Sequence, residues 1–138
     1  MNIYTSYASE ENLKELVSQG YLPFIILRNI RDSRLLGPYS DTSIHLRELS
    51  PSTELYHEFR DGKISIEEYK HQYLLEIIER RISFYDLRKR LSFLSDLVNA
   101  EGVVFLGYTE DPERCHRSAL SEFLSHLWKQ EITEWKRY

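Results

Sequence analysis

Hydrophobic residues are concentrated in a few short segments that are separated by polar and amphipathic stretches. Residues 2–7 are rich in β-branched and aromatic side chains, a pattern typical of a strand. Residues 22–27 and residues 102–108 are apolar almost throughout, which indicates strands buried on both faces of a sheet. Residues 131–135 alternate in polarity and predict a final strand at the sheet edge. Together these segments favour a mostly parallel sheet of about four strands.

Signals for helix starts and ends lie between the predicted strands. Ser9 is placed to cap a first helix that ends at Gly20. Ser50 followed by Pro51 predicts a second helix, with Ser50 as the cap and Pro51 in its first position. Ser65 begins a capping box for the next helix, because a glutamate follows it three residues later.

The carboxyl-terminal half contains two further helix signals. Ser83 can restart the chain as a new helix, or one long helix can continue through Ile82, and the pattern leaves both open. Asp111 and Pro112 predict a helix that runs to about Trp128. Its apolar stripe is expected to face the sheet and consists of Leu120, Phe123, Leu124 and Leu127.

The alternation of strands and helices predicts an α/β fold. The expected architecture is a small three-layer Rossmann-like domain, with several helices flanking the mostly parallel sheet. The 138 residues suit one domain, so we expect a single domain over residues 1–138. Residues 28–49 show no clean period and predict a long loop, which either closes over a functional site or is a plain surface excursion.

Composition narrows the class of protein without identifying a substrate. Hydrophobic residues make up 41% of the chain and charged residues 29%, which is ordinary for a folded domain. The net charge of −4 excludes a protein covered in positive charge for nucleic-acid binding, but it is compatible with a local basic patch. A candidate nucleic-acid patch consists of Arg80, Arg81, Arg88, Lys89 and Arg90. A solvated helical face is the alternative interpretation of these residues.

Several kinds of site find no support in the sequence. The single cysteine cannot form an internal disulfide or a multi-thiolate zinc site. The histidines show no metal-ligand spacing, and neither a glycine-rich phosphate loop nor a dinucleotide fingerprint is present, so we expect no metal and no cofactor. Apolar runs are far shorter than the roughly 20 residues of a membrane span, and no leader opens the chain. We therefore expect a cytoplasmic protein with no membrane partner.

The segment after the third predicted strand combines several chemically useful groups. Residues 108–117 form a polar loop that leads into a helix start, where free N–H groups and the helix dipole favour a negative charge. Cys115 lies near this helix N-terminus, which lowers a thiol pKa. His116 is a candidate proton carrier, and Arg117 is a candidate clamp for an anion. We therefore expect Cys115 and His116 as catalytic residues and Arg117 as a ligand-binding residue.

Each of these three residues also has a structural interpretation. Cys115 can be a small packed residue, and His116 lies on the apolar stripe of the helix, where it can be a satisfied buried histidine. Arg117 follows Glu113 by four residues, a spacing suited to a helical salt bridge. Successive helical residues are turned by about 100°, so the three side chains cannot share one direction, and His116 and Arg117 rank above Cys115. A Cys-phosphatase loop is excluded, because Arg117 follows too closely and Ser121 occupies the later position.

The carboxyl ends of neighbouring parallel strands are the usual place for ligands in α/β proteins. Arg28 ends the second predicted strand, and Tyr4 and Ser6 lie on the first. Tyr39 belongs to the long loop. We therefore expect Arg28, Tyr39 and a first-strand residue to bind a ligand in a pocket shared with the Cys115 segment.

Several segments occur in a familiar order along nearly the whole chain, namely residues 2–7, 49–55, 69–75, 104–108 and 132–135, together with Cys115-His116-Arg117. This series resembles the YeaO-like family, a bacterial and phage family catalogued as domain of unknown function 488. The most specific part is the strand, the acidic-proline loop and the Cys-His-Arg motif on the following helix. The resemblance implies a compact α/β fold with a small, mostly parallel sheet and a site at the motif, and it leaves the reaction open.

Two classes of function follow from these observations. The first is an enzyme or a ligand-binding domain for an anionic, nucleotide-like or nucleic-acid-derived molecule at the helix N-terminus. The alternative is a non-enzymatic module that binds nucleic acid or protein, of the phage or bacterial defence and counter-defence type. Copurification of a small nucleotide would favour the first class, and salt-dependent nucleic-acid binding would favour the second. In either case we expect a monomer or a homodimer.

Overall fold

The computed structural model describes residues 1–28 and 44–135. The strands are β1 (Ile3–Tyr7), β2 (Tyr21–Ile25), β3 (Ile44–His45), β4 (Gly102–Gly107) and β5 (Ile132–Glu134). The α-helices are α1 (Glu10–Ser18), α2 (Thr53–Arg60), α3 (Ile66–Glu79), α4 (Phe84–Leu97) and α5 (His116–Trp128). Two short 3₁₀ turns, Arg47–Leu49 and Pro112–Arg114, precede α2 and α5. No helix within the described ranges is long and apolar enough to cross a membrane.

All neighbouring strands run parallel, in the order β3-β2-β4-β1-β5. The predicted adjacency of the three apolar segments is confirmed, with the wholly buried β4 between β2 and β1. The described residues form five strands where the pattern predicts about four. The additional edge strand, β3, lies in the segment predicted as a loop, and residues 29–43 of that segment, including Tyr39, lie outside the described residues.

Side chains alternate along each strand and so divide the core between the two faces of the sheet. On one face, Ile3, Phe24 and Phe105 belong to a cluster that is completed by α2, α3, α4 and α5. On the other face, Val104 and Leu106 pack against α1. The predicted three-layer α/β arrangement is thereby confirmed. Side chains from neighbouring positions of one strand consequently reach different layers.

The start of α2 differs from the prediction. Ser52 caps this helix, because its hydroxyl accepts a hydrogen bond from the Leu55 backbone N–H at 3.2 Å. Ser50 is fully buried, and its hydroxyl donates to the carbonyl of Arg47 at 2.5 Å. The predicted cap at Ser50 is therefore wrong, and Pro51 lies before the helix instead of in its first turn.

The last helix also begins later than predicted. Asp111 accepts a hydrogen bond from the Glu113 backbone N–H at 3.0 Å and caps only the 3₁₀ turn that starts at Pro112. The α-helix starts at His116, and Cys115 is its N-cap, with extended backbone angles of φ −131° and ψ 146°. This one-turn shift places the cysteine immediately in front of the free N–H groups of the helix.

Ser83 begins a separate helix. Its hydroxyl accepts a hydrogen bond from the Asp86 backbone N–H at 3.3 Å. Arg81, just before it, has a φ of 53°, which is a left-handed conformation that ends α3. One continuous helix through Ile82 is therefore excluded.

The predicted core stripe of the last helix is correct in part. Leu120 and Leu124 are fully buried, whereas Phe123 is half-buried with its ring 5.2 Å from that of Phe84. Leu127 is 49% exposed, so its assignment to the core is wrong. Leu127 is the penultimate residue of α5.

Replacing Leu120 with alanine is expected to lower the free energy of unfolding by about 2–5 kcal/mol, because the substitution leaves a cavity in a dry core. The matched control is Leu127→Ala in the same helix, which should change the value by no more than about 1 kcal/mol, because that side chain is half exposed. Urea denaturation followed by circular dichroism measures both. Equal losses in the two variants would contradict the packing described above.

Candidate functional site

The Cys115-His116-Arg117 segment lies where the central strand β4 leads into α5. β4 ends at Gly107, and the chain passes through a short polar loop and a 3₁₀ turn before the helix begins. All three side chains are buried, with exposed fractions of 2%, 0% and 0% respectively. The segment is therefore part of the interior at the carboxyl end of the sheet.

Cys115 and His116 form a close pair. The Cys115 Sγ lies 3.7 Å from the His116 Nδ1. The other ring nitrogen, Nε2, lies 2.8 Å from the Ile26 carbonyl oxygen, and because a carbonyl can only accept, Nε2 must carry a hydrogen. Nδ1 is therefore the ring nitrogen that can accept the thiol proton, and its transfer gives a thiolate beside a protonated imidazole. A nucleophile, a base and a group that orients the base are thus arranged in series.

The surroundings favour the thiolate form of Cys115. Burial by itself raises the pKa of the thiol, but the adjacent His116 imidazole and the Arg117 side chain and backbone N–H lower it further than burial raises it. The resulting pKa is about 5, well below the ordinary cysteine value. Cys115 is therefore ionised at neutral pH, and it provides the negative charge that the N-terminus of α5 favours.

Gly107 makes room for the sulfur atom. A Cβ at this position would lie 2.5 Å from the Cys115 Sγ and 3.3 Å from the Arg117 Cδ. The last residue of β4 must therefore lack a side chain if Cys115 is to occupy its observed position.

Arg117 is fully enclosed and has all of its partners within the protein. Its Nη2 lies 2.8 Å from the Glu134 Oε1, and its Nε donates to the same carboxylate at 3.1 Å. Its terminal nitrogens also donate to the carbonyls of Thr109 and Glu110. The Glu134 carboxylate in turn accepts a hydrogen bond from the Thr5 hydroxyl at 2.7 Å.

This geometry differs from the sequence-based expectation for Arg117. The guanidinium is fully buried and is held by Glu134 on β5. Glu113, the salt-bridge partner that the spacing suggests, instead lies 3.5 Å from the Lys70 ammonium. Arg117 therefore connects α5, the loop after β4 and the edge strand, and it acts on the site through the field it exerts on Cys115.

A cavity of about 200 Å³ lies near the Cys115–His116 pair. Its lining consists of Arg28, Pro51, Ser52, Thr53, Tyr56, His57 and Tyr108. The ring of Tyr108 stacks on that of Tyr56 at 4.6 Å and lies 5.8 Å from the ring of His116. Tyr108 thus lies between the cavity and His116.

Tyrosines form much of the environment of the thiol. Burial raises the pKa values of Tyr56, Tyr69 and Tyr73, and in each case the negative charge of Cys115 raises them further. The ring of Tyr73 also lies edge-on to His116 at 5.1 Å. These phenols therefore remain neutral, and they surround the ionised sulfur with polarisable rings and uncharged hydroxyl groups.

Sequence reasoning missed Tyr56, His57 and Tyr108 as residues of the site. Tyr108 is the first residue after β4, and its place at the carboxyl end of a central strand was a usable signal. Tyr56 and His57 come from α2, about 50 positions away in the chain, and they approach the site through tertiary packing alone.

Of the predicted ligand-binding residues, Arg28 lies at the cavity. Its backbone N–H donates to the Tyr108 hydroxyl at 3.1 Å, and its Nε donates to the Pro51 carbonyl at 3.0 Å. Tyr4 and Ser6 lie on the α1 face of the sheet, away from Cys115, because they occupy the alternate positions of β1. The structure therefore does not bring them into this cavity.

The predicted basic patch is divided between two environments. Arg80 donates to the carbonyls of Glu48 and Ser50 and forms an ion pair with Glu76, so its charge is already compensated. The remaining members, Arg81, Arg88, Lys89 and Arg90, are exposed on and before α4. Across residues 1–28 and 44–135, no group of three His, Cys, Asp or Glu side chains is placed to bind a metal ion.

Comparison with protein families identifies the family of the chain. A family model described as the active DUF488-N3 subclade matches residues 26–127. The matched range includes α2, α3, α4, β4 and the Cys115-His116-Arg117 segment, and it excludes β1 and β5. Neither a curated protein nor a solved structure shows significant similarity to the chain.

Replacing Glu134 with glutamine is expected to lower the free energy of unfolding by about 1.5–3 kcal/mol, because the buried Arg117 guanidinium loses its charged partner. Glu131→Gln is the control, since Glu131 is an exposed glutamate just before the same strand and should have an effect within about 0.5 kcal/mol. Chemical denaturation at neutral pH measures both. An unchanged free energy of unfolding in Glu134→Gln would show that the ion pair does not stabilise the fold.

Replacing Gly107 with alanine is expected to destabilise the fold by about 1–3 kcal/mol, because the new methyl group and the Cys115 sulfur cannot occupy the same space. In a Cys115→Ala background, the same substitution should cost less. A double-mutant cycle from denaturation data measures this coupling. Additive effects would indicate that Cys115 does not pack against Gly107.

Proposed function

The chain belongs to the DUF488 family, within its active DUF488-N3 subclade, and on this premise we propose that it is an enzyme that uses the Cys115 thiolate as a nucleophile. The observation that carries the proposal is the Cys115–His116 pair at 3.7 Å, with the imidazole oriented by the Ile26 carbonyl. A thiol with a pKa of about 5 is available as thiolate at neutral pH without further activation. A purely structural cysteine has no need of such a charged partner.

The proposed reaction is a nucleophilic displacement in two steps. The Cys115 sulfur donates an electron pair to an electrophilic atom of the substrate, and the leaving group departs with its bonding pair and takes a proton from the His116 Nδ1. A water molecule then gives a proton to Nδ1 and attacks the covalent intermediate. This second attack releases the product and restores the thiolate.

The proposed substrate is a small anionic molecule, nucleotide-like or derived from nucleic acid. Arg28 and His57 line the cavity and offer cationic or proton-donating groups to a phosphate or carboxylate. The stacked rings of Tyr56 and Tyr108 offer an aromatic surface to a planar base. In this proposal Tyr108 moves aside to connect the cavity with Cys115, because the cysteine is 2% exposed in the closed arrangement.

The second candidate function is a non-enzymatic binding module, and the burial of Cys115 is the observation that favours it. In that case the thiolate and His116 stabilise the start of α5, and ligand or partner binding takes place without a covalent step. The two candidates differ in the reactivity of the sulfur, which can be measured without knowledge of the substrate.

The decisive experiment is the pH dependence of Cys115 alkylation, which is unambiguous because the chain has a single cysteine. With iodoacetamide, the rate is expected to be half-maximal near pH 5 and nearly constant from pH 6 to pH 8, since the thiol is ionised above its pKa of about 5. An ordinary thiol, with a pKa of about 8.5, would instead react about tenfold faster per pH unit over this range. His116→Asn should restore that ordinary profile, whereas His126→Asn, at an exposed histidine of the same helix, should not.

A second arm tests the anionic substrate class. Arg28→Gln is expected to reduce alkylation by the anionic reagent iodoacetate about tenfold, while iodoacetamide reacts as before. Arg90→Gln, at an exposed arginine outside the cavity, is the matched control. If the folded protein resists both reagents at every pH, the thiolate enzyme is excluded and the binding module is left. If the rate with iodoacetate does not depend on Arg28, the proposed anionic substrate is excluded, whereas the proposed role of Cys115 as a nucleophile is not.

A further inference from the structure

A second concave surface lies between the beginning of α4 and the end of α5. This groove has a volume of about 480 Å³. It is lined by Ser83, Phe84, Tyr85, Arg88, Lys89, Leu127 and Trp128. It shares no lining residue with the cavity beside Cys115.

The walls of the groove are apolar and open to solvent. Tyr85 is 72% exposed and Leu127 is 49% exposed, although both are large hydrophobic side chains. A ligand in this groove would keep one side in water, whereas small-molecule sites usually enclose about 70–90% of their ligand. The shape therefore suits a segment of another macromolecule that lies along the surface.

One polar atom of the groove residues has no partner. The indole Nε1 of Trp128 is buried, and it makes no hydrogen bond within residues 1–28 and 44–135. A buried donor without an acceptor costs about 1–3 kcal/mol.

The rim of the groove is positively charged. Arg88 donates to the neutral Gln130 Oε1 at 3.1 Å, and the Lys89 ammonium lies 5.2 Å from the centre of the Tyr85 ring. Neither cation forms an ion pair with an acidic side chain in the described part of the chain. The rim is therefore a local basic feature on a chain whose net charge is −4.

We propose that this groove docks an acidic peptide segment of another protein, which inserts a bulky apolar side chain between Tyr85 and Leu127. Carboxylates on either side of that residue pair with Arg88 and Lys89. This interaction goes beyond the proposed enzyme activity and does not depend on Cys115.

Charge and polarity favour a peptide over a nucleic acid at this groove. Nucleic-acid binding rests on several cations that follow a phosphate backbone, and Arg80 is already committed to Glu48, Ser50 and Glu76. Two cations beside an aliphatic and aromatic trough match an acidic segment with an apolar anchor more closely.

The test uses a fluorescein-labelled twelve-residue peptide in which leucines alternate with aspartates and glutamates, and it follows fluorescence anisotropy on the full chain. The expected dissociation constant is below about 1 mM. It should rise about tenfold or more when Arg88→Glu is combined with Lys89→Glu. Leu127→Asp should have a similar effect. The matched control is Arg81→Glu combined with Arg90→Glu, which changes the net charge equally outside the groove. All changes are at exposed positions, and circular dichroism verifies folding.

Each other outcome overturns the proposal. No binding up to about 1 mM does so, as does equal loss in the control pair, which indicates a diffuse charge effect. A labelled oligo-dT strand that binds and loses binding with Arg88→Glu and Lys89→Glu, while the peptide does not bind, assigns the groove to nucleic acid. Self-association in sedimentation that is abolished by Leu127→Asp, again without peptide binding, assigns it to a second copy of the chain.

Discussion

A buried guanidinium needs charged and polar partners in direct contact, and this requirement determines the arrangement at the carboxyl end of the sheet. Arg117 has no exposed surface, and its donors are used by Glu134 and by the carbonyls of Thr109 and Glu110. An uncompensated charge there would cost several kcal/mol, so the loop, the last helix and the edge strand are held in one arrangement. The same helix start carries Cys115 and His116, whose ring is held by the Ile26 carbonyl.

The sheet could be predicted from the sequence to a large extent, because continuous apolar runs identify strands that are covered on both faces. The helix starts could not all be predicted. Ser50 and Ser52 are equally good caps by residue type, and the choice depends on the burial of Ser50 and its bond to Arg47. β3 has two residues, too few to show a period, and its pairing with β2 comes from tertiary contact.

The position of Cys115-His116-Arg117 at the carboxyl end of the sheet could be predicted from the sequence, but the contacts of its side chains could not. A buried strand followed by a polar loop and a helix start indicates a ligand-binding edge, and the Cys115–His116 pair lies there. Arg117 and its partner Glu134 are 17 positions apart and meet only when the edge strand is in place. Tyr56 comes from another helix, and strand alternation sends Tyr4 to the opposite layer.

The pairing of β1 with β5 has a consequence for biosynthesis. Thr5 and Glu134 are hydrogen-bonded across 129 positions of the chain, so β1 acquires this neighbour only after the intervening residues have been synthesised. Its other neighbour, β4, is synthesised almost as late. Until then the apolar strands β1 and β2 lack the partner that lies between them, and such non-local pairing is slow and prone to aggregation. The sheet can therefore close only after β4 has been synthesised, and β1 and β2 stay without their shared partner until then.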